Sequence, residues 1–267
     1  MTRRIHTVSK ISAVCLGLAS FAPGLRAQSP ARSAAKPPLE VVAPSWQSGT
    51  YWAQFDHKLL VDYGDLKHFQ AADRKLGPPR PGQTRVVFMG DSITAGWRLH
   101  RSFPGKPYIN RGISGQTSSQ MLLRFRQDVI ALRPRVVLIL AGTNDLAENT
   151  GPIPLTQTEG NLASMAQLAR ANHIRAVLCA VLPSVHYWWH PQLKNPAARI
   201  VQLNRWIHAY ARRHHEVYVN YYRAMADAAG GLPHRLSADG VHPSPAGYAV
   251  MAPLASAGIQ KALRLAR

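Results

Sequence analysis

The chain has 267 residues, 46% of them hydrophobic and 17% charged, the profile of a globular protein with its own core rather than a disordered or coiled-coil chain. Its 19 glycines show no three-residue period and it has only two cysteines, which excludes a collagen-like chain and a disulfide scaffold. Lys and Arg number 32 against 13 acids, a formal charge of +19, so an acidic partner must be weighed against how that charge is spread.

Residues 1–27 read as a secretory signal peptide. Arg3, Arg4 and Lys10 open it without an acid, Ile11 to Leu25 is apolar or small, and Leu25-Arg26-Ala27 ends on a small residue. The apolar run is too short to cross a bilayer and is broken by Pro23 and Gly24, so the mature chain is expected to have no integral membrane span. Export permits disulfides, yet Cys179 alone remains beyond the leader, and its place in the apolar stretch Ile174 to Leu182 predicts a buried thiol. Residues 28–45, rich in Pro, Ala and Ser, read as a flexible linker.

Residues 46–82 form an N-terminal helical extension. Trp52, Phe55, Leu59, Tyr63, Leu66, Phe69 and Leu76 recur at helical spacing, Gly64 breaks them into two helices, and Gly77-Pro78-Pro79-Arg80-Pro81-Gly82 closes the segment. Over 83–267, short apolar runs alternate with longer amphipathic stretches. The runs are Val86 to Met89, Tyr108-Ile109, Val136 to Ala141, Ala176 to Leu182 and Val217 to Tyr221. Val136 to Leu140 has no polar residue to turn toward water, as a strand covered on both faces requires. Between the runs, Met121, Phe125, Val129 and Leu132 mark a helix closed at Arg133-Pro134; Thr156 and Glu159 form a capping box for another; Asn195-Pro196 and Ser244-Pro245 start two more. This rhythm predicts one α/β domain, a parallel sheet with helices on both faces.

Such sheets bind ligands at the carboxyl ends of their strands. Those ends carry Gly90-Asp91-Ser92, Asn110 to Gln116, Gly142-Thr143-Asn144-Asp145 and, before the last helix, Asp239-Gly240-Val241-His242. Together they hold what acyl transfer needs. Ser92 is a nucleophile that requires a base, an imidazole such as that of His242 is suited to be that base, and Asp239, three residues earlier, can orient the imidazole. The oxyanion of a tetrahedral intermediate would find donors in the backbone N–H groups of Ser92 and Gly115 and the side-chain amide of Asn144. Gly112 is the rival to Gly115, while Asp91 and Asp145 are assigned to bracing loops.

On these four blocks, in this order, the chain resembles the SGNH hydrolases, also called the GDSL esterases and lipases, and most of all their platelet-activating-factor acetylhydrolase-like branch. The resemblance implies a flavodoxin-like three-layer α/β/α sandwich around a five-stranded parallel sheet, with Ser92, Gly115, Asn144 and His242 as the family's namesake residues. It implies an exported carboxylic ester hydrolase acting through an acyl-serine on a small-molecule or carbohydrate ester, without a cofactor or metal. An O-acyltransferase with the same triad and a non-catalytic carbohydrate-binding domain are the alternatives.

Tyr187, Trp188 and Trp189 are expected to wall the substrate pocket. His186 and His190 flank them at a zinc-compatible spacing, but Pro183 and Pro191 argue for a loop, so no metal is expected there. The densest basic cluster, Arg212-Arg213-His214-His215, ends a helix and suits its dipole. With no nucleic-acid motif present, a nucleic-acid partner is not expected. Oligomeric state is left open.

Overall fold

A computed structural model describes residues 50–194 and 196–265. The expected signal peptide and linker, and Asn195 before its helix, lie outside the described residues. Five strands form a single parallel sheet in the order β2-β1-β3-β4-β5: β1 (Val86–Gly90), β2 (Tyr108–Gly112), β3 (Val136–Leu140), β4 (Arg175–Cys179) and β5 (Val217–Val219). The chain starts in the middle of this sheet, adds β2 on one side and then moves to the other. That reversal opens a crevice at the carboxyl ends of β1, β2 and β3.

Alternation along each strand divides the core in two. Val87, Met89, Val137, Ile139, Ala176 and Leu178 face one layer of helices: α1 (Thr50–Val61), α5 (Ser118–Asp128), α7 (Leu155–Ala171) and α8 (Pro196–Arg213). Val86, Phe88, Val136, Leu138, Val177, Val217 and Val219 face the other, built from α3 (Ser92–Ala95), α4 (Leu99–Ser102), α9 (Tyr221–Met225) and α10 (Pro245–Arg264). The short helices α2 (Gln70–Leu76) and α6 (Thr143–Leu146) complete the set. With both faces covered, the strand side chains are removed from water, each contributing about 1.5–3 kcal/mol. The three-layer sandwich matches the sequence expectation, and the buried Cys179 thiol is held well above its ordinary pKa by desolvation.

Four local expectations are corrected. The Thr156–Glu159 capping box does not form, because α7 already begins at Leu155 with Pro154 ahead of it and no side-chain cap. Instead Gln120 Oε1 accepts from the Thr117 backbone N–H at 2.9 Å, capping the start of α5. The stretch Ala176 to Leu182 leaves the sheet at Cys179. Its last residues stay buried because Asn204 acts as a substitute strand, accepting from Val181 N at 2.8 Å and donating to Val181 O at 2.9 Å. The second strand runs past Ile109 to Gly112, with Arg111 offset by a half-buried ion pair to Asp73. The fifth stops at Val219, and Tyr221 opens α9 instead.

Candidate active site

Ser92 is the first residue of α3, immediately past the end of β1. Asp91 precedes it as N-cap, its Oδ1 accepting from Ile93 N at 2.9 Å. The short helix sits directly on the end of β2: a Cβ at Gly112 would lie 2.2 Å from Ala95 N, so only glycine fits there. Gly112 thus packs α3 against β2, and its backbone N–H donates to Asn110 Oδ1 at 2.8 Å. Asn110 holds the other end of α3, donating to Thr94 O at 2.6 Å and Trp97 O at 3.1 Å, and Tyr248 Oη donates to Ile93 O at 2.8 Å.

His242 arrives from the far end of the chain. Its Nε2 lies 2.9 Å from Ser92 Oγ, and its Nδ1 lies 2.6 Å from Asp239 Oδ2. Asp239 is itself fixed by the loop it belongs to: Oδ1 accepts from Ser237 Oγ at 3.0 Å, Val241 N at 3.0 Å and His242 N at 2.8 Å. Partial burial alone would push this carboxyl up. The hydrogen bonds from the imidazole and from the two backbone N–H groups outweigh it and hold Asp239 well below the usual carboxylate range. An ionised carboxylate only accepts, so Nδ1 carries the imidazole proton and Nε2 presents its lone pair to the serine hydroxyl.

Opposite this line, Gly115 adopts φ +80°, a conformation glycine takes without strain, and places its backbone on the wall of the same cavity. Asn144, buried in α6, donates through Nδ2 to Gln116 O at 3.0 Å, which leaves its second N–H for the cavity. A further residue, not anticipated from the sequence, ties these donors together. Asn149 donates to Gly115 O at 3.0 Å and to Asn144 Oδ1 at 3.0 Å, while its Oδ1 accepts from Trp189 Nε1 at 2.8 Å. That chain fixes the Asn144 amide, with Oδ1 held by Asn149 and Nδ2 by Gln116 O. The cavity, about 300 Å³, is lined by Ser92, Ser114, Gly115, Asn144, Asn149, Trp188, Trp189 and His242.

The model of the GDSL-like lipase/acylhydrolase family matches residues 88–250, which contain all of these residues. The chain belongs to that family. As a GDSL-like protein it is a carboxylic ester hydrolase, and its known relatives agree. Over 180 residues it is 31% identical to Esterase TesA of Pseudomonas aeruginosa, covering 61% of this chain and 80% of the relative. A solved GDSL-like lipase from Bacteroides thetaiotaomicron is 45% identical with a TM-score of 0.73, covering 75% of this chain and 100% of that one. An acetylxylan esterase from Geobacillus stearothermophilus shares the fold at 24% identity and TM-score 0.55, covering 66% of this chain and 94% of that one.

The aromatic trio of this GDSL-like chain divides. Tyr187, 1% exposed, is a core residue away from the cavity, a correction to its expected place in the pocket wall. Its neighbours Trp188 and Trp189 take the places on the cavity wall. Trp189, 5% exposed, serves both the cavity and the core, with its ring centroid 6.3 Å from that of His242. Trp188, 56% exposed, is the wall's outer part. The segment is a loop, and His190 Nδ1 lies 3.0 Å from Ala147 O rather than turning toward His186. Among the described residues, no three His, Cys, Asp or Glu side chains gather as a metal site.

Both bracing aspartates are buried. Asp145 accepts from Ser118 N at 2.9 Å, from Thr158 Oγ1 at 3.2 Å and from Ser118 Oγ, tying α6 to α5 and α7; burial raises its carboxyl. Burial raises Asp91 to about 7, against the opposing pull of the Ile93 N–H and of His242. Its Oδ2 has no hydrogen-bond partner among the described residues.

Proposed function

We propose that this chain is an exported esterase that cleaves short-acyl carboxylic esters through an acyl-serine intermediate. The observation that carries the reading is the continuous line from Ser92 Oγ to His242 Nε2 at 2.9 Å and from Nδ1 to Asp239 at 2.6 Å, ending beside Gly115 and Asn144. His242 accepts the Ser92 proton as Oγ attacks the ester carbonyl, and the ionised Asp239 stabilises the imidazolium that forms. The oxyanion is held by the N–H groups of Ser92 and Gly115 and by Asn144 Nδ2. His242 then returns its proton to the departing alcohol. A water, deprotonated by the same imidazole, attacks the acyl-serine and releases the acid.

The choice of a short acyl group is supported by Trp188 and Trp189, which line the cavity beside Ser92. The acetylxylan esterase of like fold supports the choice of acetyl. Export rests on the basic start and apolar stretch of residues 1–27; among the described residues no helix is long and apolar enough to cross a membrane. Replacing Ser92→Ala tests the mechanism. Hydrolysis of 4-nitrophenyl acetate and labelling by a fluorophosphonate are expected to vanish while the thermal melt stays in place. Turnover that survives the substitution would remove Ser92 as the nucleophile.

A further inference from the structure

The helical extension before β1 does more than cover the sheet. Between α1 with the turns that follow it and the Gly112 to Gln116 loop lies a second cavity of about 210 Å³. Phe55, Leu59 and Ile113 give it apolar surface, while Gln54, Lys58 and Asp62 add polar groups from the extension. Ser114, exposed on the loop, lines both this cavity and the one that holds Ser92. The shared wall is pinned from the extension side. Gln116 Nε2 donates to Gly64 O at 3.0 Å, Gln120 Nε2 donates to Tyr63 O at 2.8 Å, and Tyr63 Oη lies 2.9 Å from Ser119 Oγ.

We propose that this second cavity is a subsite for a sugar ring on the alcohol side of the ester, so that the substrate is an esterified oligosaccharide lying across Ser114. The inference rests on the esterase reading of Ser92 and deepens it. Its ground is the mixture of surfaces. An alkyl chain laid there would cover Phe55 and Leu59, but it would also take the polar groups of Lys58, Asp62 and Asp65 from water without replacing their hydrogen bonds, at a cost of about 1–3 kcal/mol for each. A pyranose has both parts needed: a face of C–H groups for the apolar surface and a rim of hydroxyls for the charged one. Asp65 is already held in place, with Lys58 Nζ and His68 Nδ1 each 3.1 Å from its Oδ2. The polar side is therefore ordered before a hydroxyl arrives, which lowers the entropy cost of binding.

The test compares full-length protein with Gln54→Trp, whose indole fills the cavity, and Lys58→Met, which keeps the stem and loses the ammonium. Both positions are exposed on α1. The probes are acetylated methyl xyloside, acetylated xylotriose and 4-nitrophenyl esters from acetate to octanoate. The unsubstituted protein should favour the xylotriose ester over the single-ring ester by about tenfold in kcat/KM, the worth of one or two net hydrogen bonds. Gln54→Trp should abolish that preference and Lys58→Met should reduce it, while 4-nitrophenyl acetate turnover stays within about twofold. Equal kcat/KM for the one-ring and three-ring esters in the unsubstituted protein overturns the subsite. So does a rate that climbs with acyl length and is lost in Gln54→Trp, which gives the cavity to the acyl chain. An equal loss on every ester in both variants assigns the two residues to folding alone and overturns it as well. Failure of the esterase reading itself is separable, because it shows as 4-nitrophenyl acetate turnover that Ser92→Ala leaves intact.

Discussion

Asp91 precedes Ser92 and Asp239 holds His242, and their surroundings drive the two carboxyls in opposite directions. Three hydrogen bonds to its Oδ1 and one from the imidazole keep Asp239 charged. Asp91 is fully buried, receives one backbone N–H on Oδ1, and is raised to about 7. A carboxyl that binds its proton more tightly in the folded state than in the unfolded chain stabilises the fold most at low pH. That contribution falls away as pH rises from the ordinary carboxylate range, near 4, toward the folded-state value of about 7. Asp91→Asn keeps the oxygen that caps Ile93 and removes the titration. Thermal melts of the variant should therefore lose stability less steeply than the parent between about pH 4 and pH 7, a difference on the order of a few kcal/mol across that window. Parallel curves would mean that Asp91 is already ionised in the folded protein. The sequence marks Asp91 as a brace, since Asp before a helix start is an ordinary cap. It gives no sign of the burial that shifts its proton, because burial depends on α3 seating on β2 through Gly112.

Strands were the most legible elements. An apolar run with nothing to turn toward water must be covered on both faces, so β1 and β3 follow from their side chains alone. What escaped was side-chain substitution for backbone pairing. Asn204 and Asn149 lie outside the strand-end blocks; Asn149 is five residues beyond Asn144, a separation that only becomes contact once α6 has turned. Arg124 belongs to the same class. Fully buried on α5, it donates to Asp128 at 2.9 Å, to Gln116 Oε1 at 2.5 Å and to Gly90 O at 3.1 Å, linking the helix to the end of β1. Its i, i+4 spacing to Asp128 reads in the sequence as an ordinary surface pair. Arg124→Met leaves the Asp128 carboxylate buried without its partner and should cost about 3–5 kcal/mol in urea unfolding. Adding Asp128→Leu should recover part of that loss, because no uncompensated charge then remains inside. A double variant no more stable than the single one would put the loss on the bonds to Gln116 and Gly90 instead.

At the level of the whole molecule, 32 basic residues stand against 13 acidic ones. Self-repulsion in a chain of +19 opposes compaction, and salt screens it. The melting temperature should climb by several degrees between about 10 and 300 mM sodium chloride, where a balanced surface would show little change. A flat response would mean that the charges lie too far apart to repel. The order of elements in the chain has a consequence of its own. The hydroxyl of Ser92 comes from the first strand-to-helix turn and the imidazole of His242 from the turn before the final helix, 150 residues later. On the proposed mechanism, a polypeptide still being synthesised holds these two groups apart. The proposed serine–histidine pair is then complete only once the carboxyl-terminal segment has docked.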